Sequence, residues 1–355
     1  MNKEKITIQH IADSLGLSRN TVSKALNGSE TIPAETRSRV IKRAIELKYK
    51  QFALIEPEET SSRAPGNIAL FTANMPHSTH FGTSLLSGLE KMISTEGFNL
   101  SIHIVRETEL EALTLPVNFD KTKVDGIVCI ELFDKNYTEF IHNLQIPTIS
   151  IDAPSDLLGP DLGADVLLME NEHSTFRLTQ TLIDSGHTRL GFVGDIRHCR
   201  SFHERWTGFT RALSAAGLPQ DPSLFITEAD RLISNLSWLE ERISLLDALP
   251  TVFVCANDFI AINVMRILKQ KQVRIPEDIA VTGFDDSPES QIVEPQLTTV
   301  HIYRDEMGLQ AAEMLLSRIR NPHKPPQVTH VQTKPVFRSS AAVPVSRQKE
   351  YKKIT

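Results

Sequence analysis

Apolar residues recur every three or four positions over the first fifty residues. Ile8, Ile11, Ala12 and Leu15 share one face of a helix, and Val22, Ala25 and Leu26 share a face of a second. Gly16 can take the left-handed conformation that ends the first helix. Leu17 is apolar and belongs in the turn, and Ser18 can cap the second helix by accepting from a free backbone N–H. The Asn27-Gly28 pair stops that helix at about Leu26. A third helix is predicted from about Pro33 to Leu47. Proline is accommodated in a first helical turn, and Glu35 there suits the helix dipole. Its apolar face, Val40, Ile41, Ala44, Ile45 and Leu47, closes a miniature core with the other two. Fifty residues is near the lower limit for independent stability.

From Asn67 the pattern switches to short apolar runs alternating with helical periodicity. Strands are predicted at 67–72, 99–105, 125–131, 147–151, 165–169, 189–194, 223–228, 250–255 and 279–284. Helices fit 83–96, 135–143, 171–185, 203–216, 231–246 and 257–271, with a last helix at 304–320 and an extended run at 327–336. Such alternation predicts parallel sheets covered by helices. It comes in two successive runs, which predicts two similar doubly wound subdomains. The stretch between head and body, QFALIEPEETSSRAPG (51–66), reads as a linker. The domain expectation is therefore a helical head over 1–50, a linker over 51–66, an α/β body over 67–345 and a frayed tail over 346–355.

Composition is ordinary for a globular protein, at 40% hydrophobic and 23% charged, but the net charge of −6 is unevenly spread. Residues 1–52 hold ten Lys/Arg and five Asp/Glu, a surplus of five positive charges, which leaves −11 on the remainder. A basic head on an acidic body points to nucleic acid at the head alone. Cys129 and Cys255 lie in apolar strand-like runs and read as buried thiols, far in sequence from Cys199. There is no charged-then-apolar leader at the start and no apolar run approaching 18 residues, so a cytoplasmic location is expected.

The second helix carries candidate DNA chemistry. Arg19, Asn20 and Lys24 lie off its apolar face. Arg and Lys donate to guanine O6 and N7, and Asn bonds adenine twice. A helix from Ser18 to Leu26 is roughly 14 Å long, enough to set its N-terminal end against base edges in a major groove. In open parallel sheets ligands bind beyond the carboxyl ends of strands. Here those ends carry Asp152, Asp195, Asn257 with Asp258, and Asp285 with Asp286. His80 and Phe81 follow the first strand, and Arg205 is expected to open a helix after 189–194. Carboxylates, an amide and an arginine around an aromatic ring suit a small polyhydroxylated or heteroaromatic ligand. The chain contains no G-x-S-x-G, P-loop, H-E-x-x-H or G-x-G-x-x-G motif, and His198, Cys199 and His203 match no common zinc spacing. No catalytic residue, metal or cofactor is expected.

The motifs together resemble the lactose-repressor (LacI/GalR) family of bacterial transcription regulators over nearly the whole chain. The head matches in TIQHIADSLGLSRNTVSKALNG and ETRSRV. The body matches in VDGIV, IPTISID, SGHTRLGFVGD, ERWTGFTRAL, CANDFIAI, IPEDIAVTGFDD, PQLTTV and FRSS. The resemblance implies a periplasmic-binding-protein-like effector domain, its two subdomains joined by crossover strands, and a homodimer reading a near-palindromic operator. It implies base reading by Arg19, Asn20 and Lys24, and phosphate contacts from Thr7, Ser18, Thr21 and Asn27. It implies effector contacts from Phe81, Asp152, Arg205, Asn257 and Asp285. One departure stands out. The family's hinge, which follows the tyrosine (here Tyr49), inserts a leucine into the minor groove. Here KQFALIEPEET occupies that place, and Glu58 stands at the leucine position. The expectation is that the usual wedge is lacking or that Phe52, Leu54 or Ile55 replaces it.

These readings converge on a DNA-binding transcriptional repressor controlled by a small metabolite, with sugars or sugar derivatives as the leading class and nucleobases behind. The alternatives are a small-ligand receptor without gene-regulatory activity and a sugar-processing enzyme.

Overall fold

The computed structural model describes residues 6–26, 32–47, 49, 66–73, 82–157 and 163–341. The chain divides into two compact units, 1–64 and 65–355. The linker residues 51–65, the tail from 342, Asn27, His80 and Phe81 lie outside the described residues.

The first unit holds three helices, α1 (Ile8–Leu15), α2 (Arg19–Leu26) and α3 (Ala34–Glu46). Thr7 caps α1, with its hydroxyl accepting from His10 N, and Gly16 ends that helix at φ 65°. Ser18 Oγ accepts from Thr21 N at 3.1 Å, the expected cap of α2. Ile11, Ala12, Val22, Ala25, Val40 and Ala44 are buried together. Tyr49 joins them, while Ile41 and Ile45 are only half-buried. Fully burying an aliphatic side chain of this size contributes about 1.5–3 kcal/mol, so a handful of such residues is what holds so short a unit together.

The second unit is built on two parallel sheets. The first contains β1 (Gly66–Thr72), β2 (Phe98–Ile104), β3 (Gly126–Ile130), β4 (Thr148–Ile151), β5 (Asp165–Met169) and β11 (Val328–Val331) in the order β11-β5-β4-β3-β1-β2. Every neighbouring pair is parallel. Alternation along a strand sends successive side chains to opposite faces. Ile68 and Leu70 of β1 accordingly enter the main core, whereas Ala69 and Phe71 enter a second cluster with Ile127, Tyr137 and Ile141. Four helices accompany this sheet: α4 (Gly82–Thr95), α5 (Glu107–Ala112), α6 (Lys135–His142) and α13 (Arg304–Arg320). Helices α4 and α13 approach until a Cβ on Gly308 would lie 2.1 Å from Leu85 O and one on Gly88 2.3 Å from Asp305 O, so neither position has room for a side chain.

The second sheet contains β6 (Leu190–Val193), β7 (Phe225–Ile226), β8 (Val252–Cys255) and β9 (Ala280–Thr282) in the order β7-β6-β8-β9, again all parallel. Its helices are α7 (Glu172–Asp184), α8 (Arg200–Ala215), α9 (Asp230–Ile233), α10 (Leu236–Ser244), α11 (Asp258–Gln270) and α12 (Pro288–Ile292). The one helix predicted at 231–246 is two, because Asn235 leaves helical geometry and caps α10 by accepting from Trp238 N at 3.1 Å. The predicted run 327–336 is also two strands in different sheets. Strand β11 adds to β5, and β12 (Lys334–Val336) pairs antiparallel with β10 (Thr299–His301).

The chain passes between the two subdomains three times: at Glu170–Asn171, at about His301–Arg304, and at about Thr333–Lys334. Thr333 Oγ1 donates to Glu170 O at 2.7 Å and meets Ser174 Oγ at 2.8 Å, tying the first crossover to the third. The Arg304 guanidinium donates to Asp285 O, tying the second to the end of β9. Among the described residues no helix is long and apolar enough to cross a membrane.

Candidate functional site

In the first unit, packing of Val22 and Ala25 inward turns Arg19, Asn20 and Lys24 outward, and all three are exposed. Thr7, Ser18 and Thr21 sit at the N-terminal ends of α1 and α2, where free backbone N–H groups favour anions. The Ser18 and Thr21 hydroxyls lie 2.8 Å apart. Helix α2 and its cap thus gather a donor surface of three side chains and two hydroxyls, the chemistry a phosphate backbone and base edges accept.

In the second unit, Asp152, Arg205, Asn257 and Asp285 come from four different elements. Asp152 ends β4 at φ 63°, a left-handed conformation that costs a non-glycine residue of order 1–3 kcal/mol. Its Oδ1 accepts from Ala153 N at 2.8 Å and from Ser201 N at 3.2 Å, at the start of α8 in the other subdomain. Burial raises its pKa, opposed by the Ser201 bond and by the nearby Arg205 charge.

Arg205 lies in the second turn of α8 rather than opening the helix, since α8 begins at Arg200. The side chain is only 3% exposed and is held on several sides. Nε donates to Asn171 Oδ1 at 2.9 Å, and Nη1 donates to Ala256 O at 2.7 Å and lies 3.5 Å from Asp285 Oδ1. The guanidinium carbon stands 3.7 Å from the centre of the Phe284 ring, with the Phe202 ring centre at 5.6 Å. A flat cation seated on an aromatic face is attracted by the ring quadrupole. Among the described residues these hydrogen bonds use Nε and Nη1 only.

Asn257 caps α11, its Oδ1 accepting from Ile260 N at 2.9 Å, which leaves the amide nitrogen as donor. Asp285 stands at φ 123°, outside the usual range of an L-residue. The neighbours of these two residues are scaffold. Asp258 is 1% exposed, accepts from Ser287 N at 2.8 Å and from Thr299 Oγ1 at 2.5 Å, and is pushed up to about 8 by burial and by Asp285. Asp286 binds Arg338 Nη2 at 2.5 Å and His301 Nδ1 at 2.8 Å. Burial opposes its ionisation, but these two partners outweigh burial and hold it down to about 2. Asp195 is also structural: it accepts from Arg197 N at 2.9 Å and Asp230 N at 3.0 Å, bracing two loops.

Sequence reasoning missed Asn171, Phe202 and Phe284, which shape the surroundings of Arg205. Phe284 adjoins the strand-end pair Asp285-Asp286 and could have been found from that position; Asn171 carried no signal. Cys129, Cys199 and Cys255 are all buried free thiols. Among the described residues no group of three or more His, Cys, Asp and Glu is placed to hold a metal ion.

A three-helix unit with an exposed basic helix and a two-sheet body with polar strand ends around Arg205 define a DNA-binding regulator with a ligand domain. The comparisons agree. Residues 7–51 match the bacterial regulatory proteins of the lacI family, and residues 179–341 match the periplasmic binding protein-like domain. The HTH-type transcriptional repressor PurR of Aliivibrio salmonicida is 28% identical over 339 residues, covering 94% of this chain and 98% of that protein. Its counterpart in Vibrio parahaemolyticus is 26% identical over 341 residues, with the same coverages. Among solved structures, a complex of the transcriptional regulator CelR with cellobiose superposes with a TM-score of 0.65 at 24% identity, covering 95% of this chain and all of that one. The lac repressor dimer bound to operator and the anti-inducer ONPF superposes with a TM-score of 0.65 at 19% identity, covering 96% of this chain and all of that one. The chain thus carries a lacI-family DNA-binding domain followed by a periplasmic binding protein-like domain, and its relatives and structural neighbours are LacI-family regulators. It is a DNA-binding transcriptional repressor controlled by an effector, and its relatives are repressors rather than enzymes.

Proposed function

We propose that this repressor binds a neutral sugar or sugar derivative in the cleft and, as a cytoplasmic homodimer, reads a near-palindromic operator. Arg19, Asn20 and Lys24 read base edges, while Thr7, Ser18, Thr21 and Asn27 hold phosphates. Phe81, Asp152, Arg205, Asn257 and Asp285 hold the effector. The working division is a DNA-binding domain at 1–50, a linker at 51–66, an effector and dimerisation domain at 67–345 and a tail at 346–355.

The observation that carries the ligand class is the setting of Arg205. Its guanidinium lies 3.5 Å from the Asp285 carboxylate and within the field of Asp152. An anionic ligand would have to compete with both carboxylates for one cation. Vicinal hydroxyls do not compete, because each can donate to a carboxylate and accept from Nη2 or from the Asn257 amide. CelR bound to cellobiose and a LacI-family regulator from Enterococcus faecium with bound ribose, the latter superposing with a TM-score of 0.64, support the same class.

The test uses full-length protein and a duplex selected from a random pool. Operator affinity is measured by fluorescence anisotropy with ribose, glucose, galactose and cellobiose, and with guanine and hypoxanthine. At least one sugar should change operator affinity by about tenfold, or 1.4 kcal/mol, and Arg205→Ala should remove that response while operator binding persists. A response to a nucleobase alone would replace the sugar reading.

A further inference from the structure

Asn171 is fully buried where the chain first leaves β5 for α7. Its Oδ1 accepts from Arg205 Nε at 2.9 Å, while its Nδ2 donates to Met169 O at 2.7 Å and to Glu204 Oε2 at 3.0 Å. The other oxygen of Glu204 accepts from Arg200 Nε at 3.0 Å and lies 3.4 Å from His330 Nε2. Glu204 belongs to α8, beside the four-stranded sheet, and His330 belongs to β11, in the six-stranded one. Their contact therefore crosses from one subdomain to the other, beside the first and third crossovers.

An amide is the one neutral side chain that offers an acceptor to a cation and two donors to a carbonyl and a carboxylate. A carboxylate at this position would repel Glu204, and an apolar group would leave Arg205 Nε and a carboxylate oxygen without partners in a buried place, at about 1–3 kcal/mol each. Neighbouring residues on a helix point about 100° apart. Arg205 reaches Asp285 in the cleft, Glu204 reaches His330 at the subdomain boundary, and Asn171 holds both.

We propose that Asn171 is a positioning residue that couples the effector to the crossovers: it fixes the Arg205 guanidinium and, through Glu204, links that guanidinium to His330 across the subdomain boundary. The inference rests on Arg205 being an effector contact. An effector shifts an equilibrium only through contacts that differ between the two arrangements. The Glu204–His330 contact is such a one: at 3.4 Å it is already at the long end of hydrogen bonding, so a small rotation about the crossovers makes or breaks it.

The experiment uses the full-length protein, the selected operator, and ribose, glucose, galactose and cellobiose as probes. Probe affinity is measured by calorimetry, operator affinity by anisotropy with and without saturating probe, and the melting midpoint by calorimetric scanning. Glu204→Gln and His330→Gln should keep probe affinity within about threefold and leave the midpoint unchanged, yet cut the probe's effect on operator affinity by about tenfold. Asn171→Asp should weaken both probe binding and response. An undiminished response in both variants, or a loss that follows the midpoint in step, would overturn the proposal. If no probe binds the unmutated protein, the ligand-class reading fails, and the link is read without ligand from the operator affinities of Arg205→Met, Glu204→Gln and the double variant. A shared link makes the double variant no worse than the stronger single one; additive effects would overturn it.

Discussion

The two parallel sheets of the body place their most sealed carboxylates, Asp165 and Asp258, at opposite ends. In the six-stranded sheet Asp165 opens β5, and Arg318 grips it with two nitrogens at 2.6 and 3.0 Å. The Gln327 amide donates to the same carboxylate at 2.8 Å. In the four-stranded sheet the sealed Asp258 and the partly buried Asp286 stand past the carboxyl ends of β8 and β9, beside Asn257 and Asp285. Within both pairs the exposures differ: Asp285 has a side chain 22% exposed against 9% for Asp286, and Asn257 is half-buried where Asp258 is sealed. Position along the strand, rather than residue type, separates these settings. At the carboxyl ends the separation falls between adjacent residues, where the chain turns: Asn257 caps α11 and Asp258 opens it, while Asp285 and Asp286 both stand at positive φ.

The comparison can be broken most severely at the amino end. Arg318→Met should cost about 3–5 kcal/mol in denaturant unfolding, since it leaves a buried carboxylate uncompensated. Effector response should survive in the protein that remains folded; a change in ligand affinity would tie this end to the cleft. Asp286→Ala should come next. It strips a partner from the largely buried Arg338, at about 1–3 kcal/mol, and one from the more exposed His301. Because the folded-state pKa of Asp286 is held at about 2, below its ordinary 3.8, its contribution is present above pH 4 and fades as pH falls through 2. The stability gap between Asp286→Asn and the unmutated protein should therefore close in that window, which urea titrations across acid pH would show.

Asn235→Ala should cost about 1 kcal/mol, the worth of an N-cap, and leave both ends of the sheets as they are. Asp258→Asn should have the most diagnostic pH profile. An acid whose folded-state pKa is raised binds more protons folded than unfolded, so it withdraws stability as pH rises from about 4 to about 8. The asparagine variant should lack that decline and be at least as stable at pH 8. A variant markedly less stable at pH 8 would mean that the charged form is the one the fold uses.

Much of this organisation was legible in the chain. The head helices, the Gly16 stop and the Ser18 cap follow from a 3.6-residue period and local hydrogen bonding, which depend on neighbours only a few residues away. The first five strands and the helix at 304–320 were placed to within a residue or two for the same reason. The misses are non-local. Helices α5 and α12 are too short for a period to announce. Strand β10 has three residues whose partners lie in β12, more than thirty positions later. The extended run 327–336 reads as one strand, because nothing local says that its halves join different sheets. The strand-end rule gathered Asp152, Arg205, Asn257 and Asp285 together with Asp195, Asp258 and Asp286, and local sequence could not separate the last three, which brace loops and crossovers.

The sequence by itself determined the two kinds of architecture, the polarity of the head surface and the set of polar residues available beyond the strands. Those depend on periodicity and on the charge carried by each stretch, both of which a chain possesses before it folds. Only the tertiary structure decided which member of each polar pair is the more exposed, that Asn171 and Phe284 hold Arg205, and that Glu204 meets His330. These follow from contacts between residues 30 to 150 positions apart, whose distances are fixed by the packing of two sheets around three crossovers.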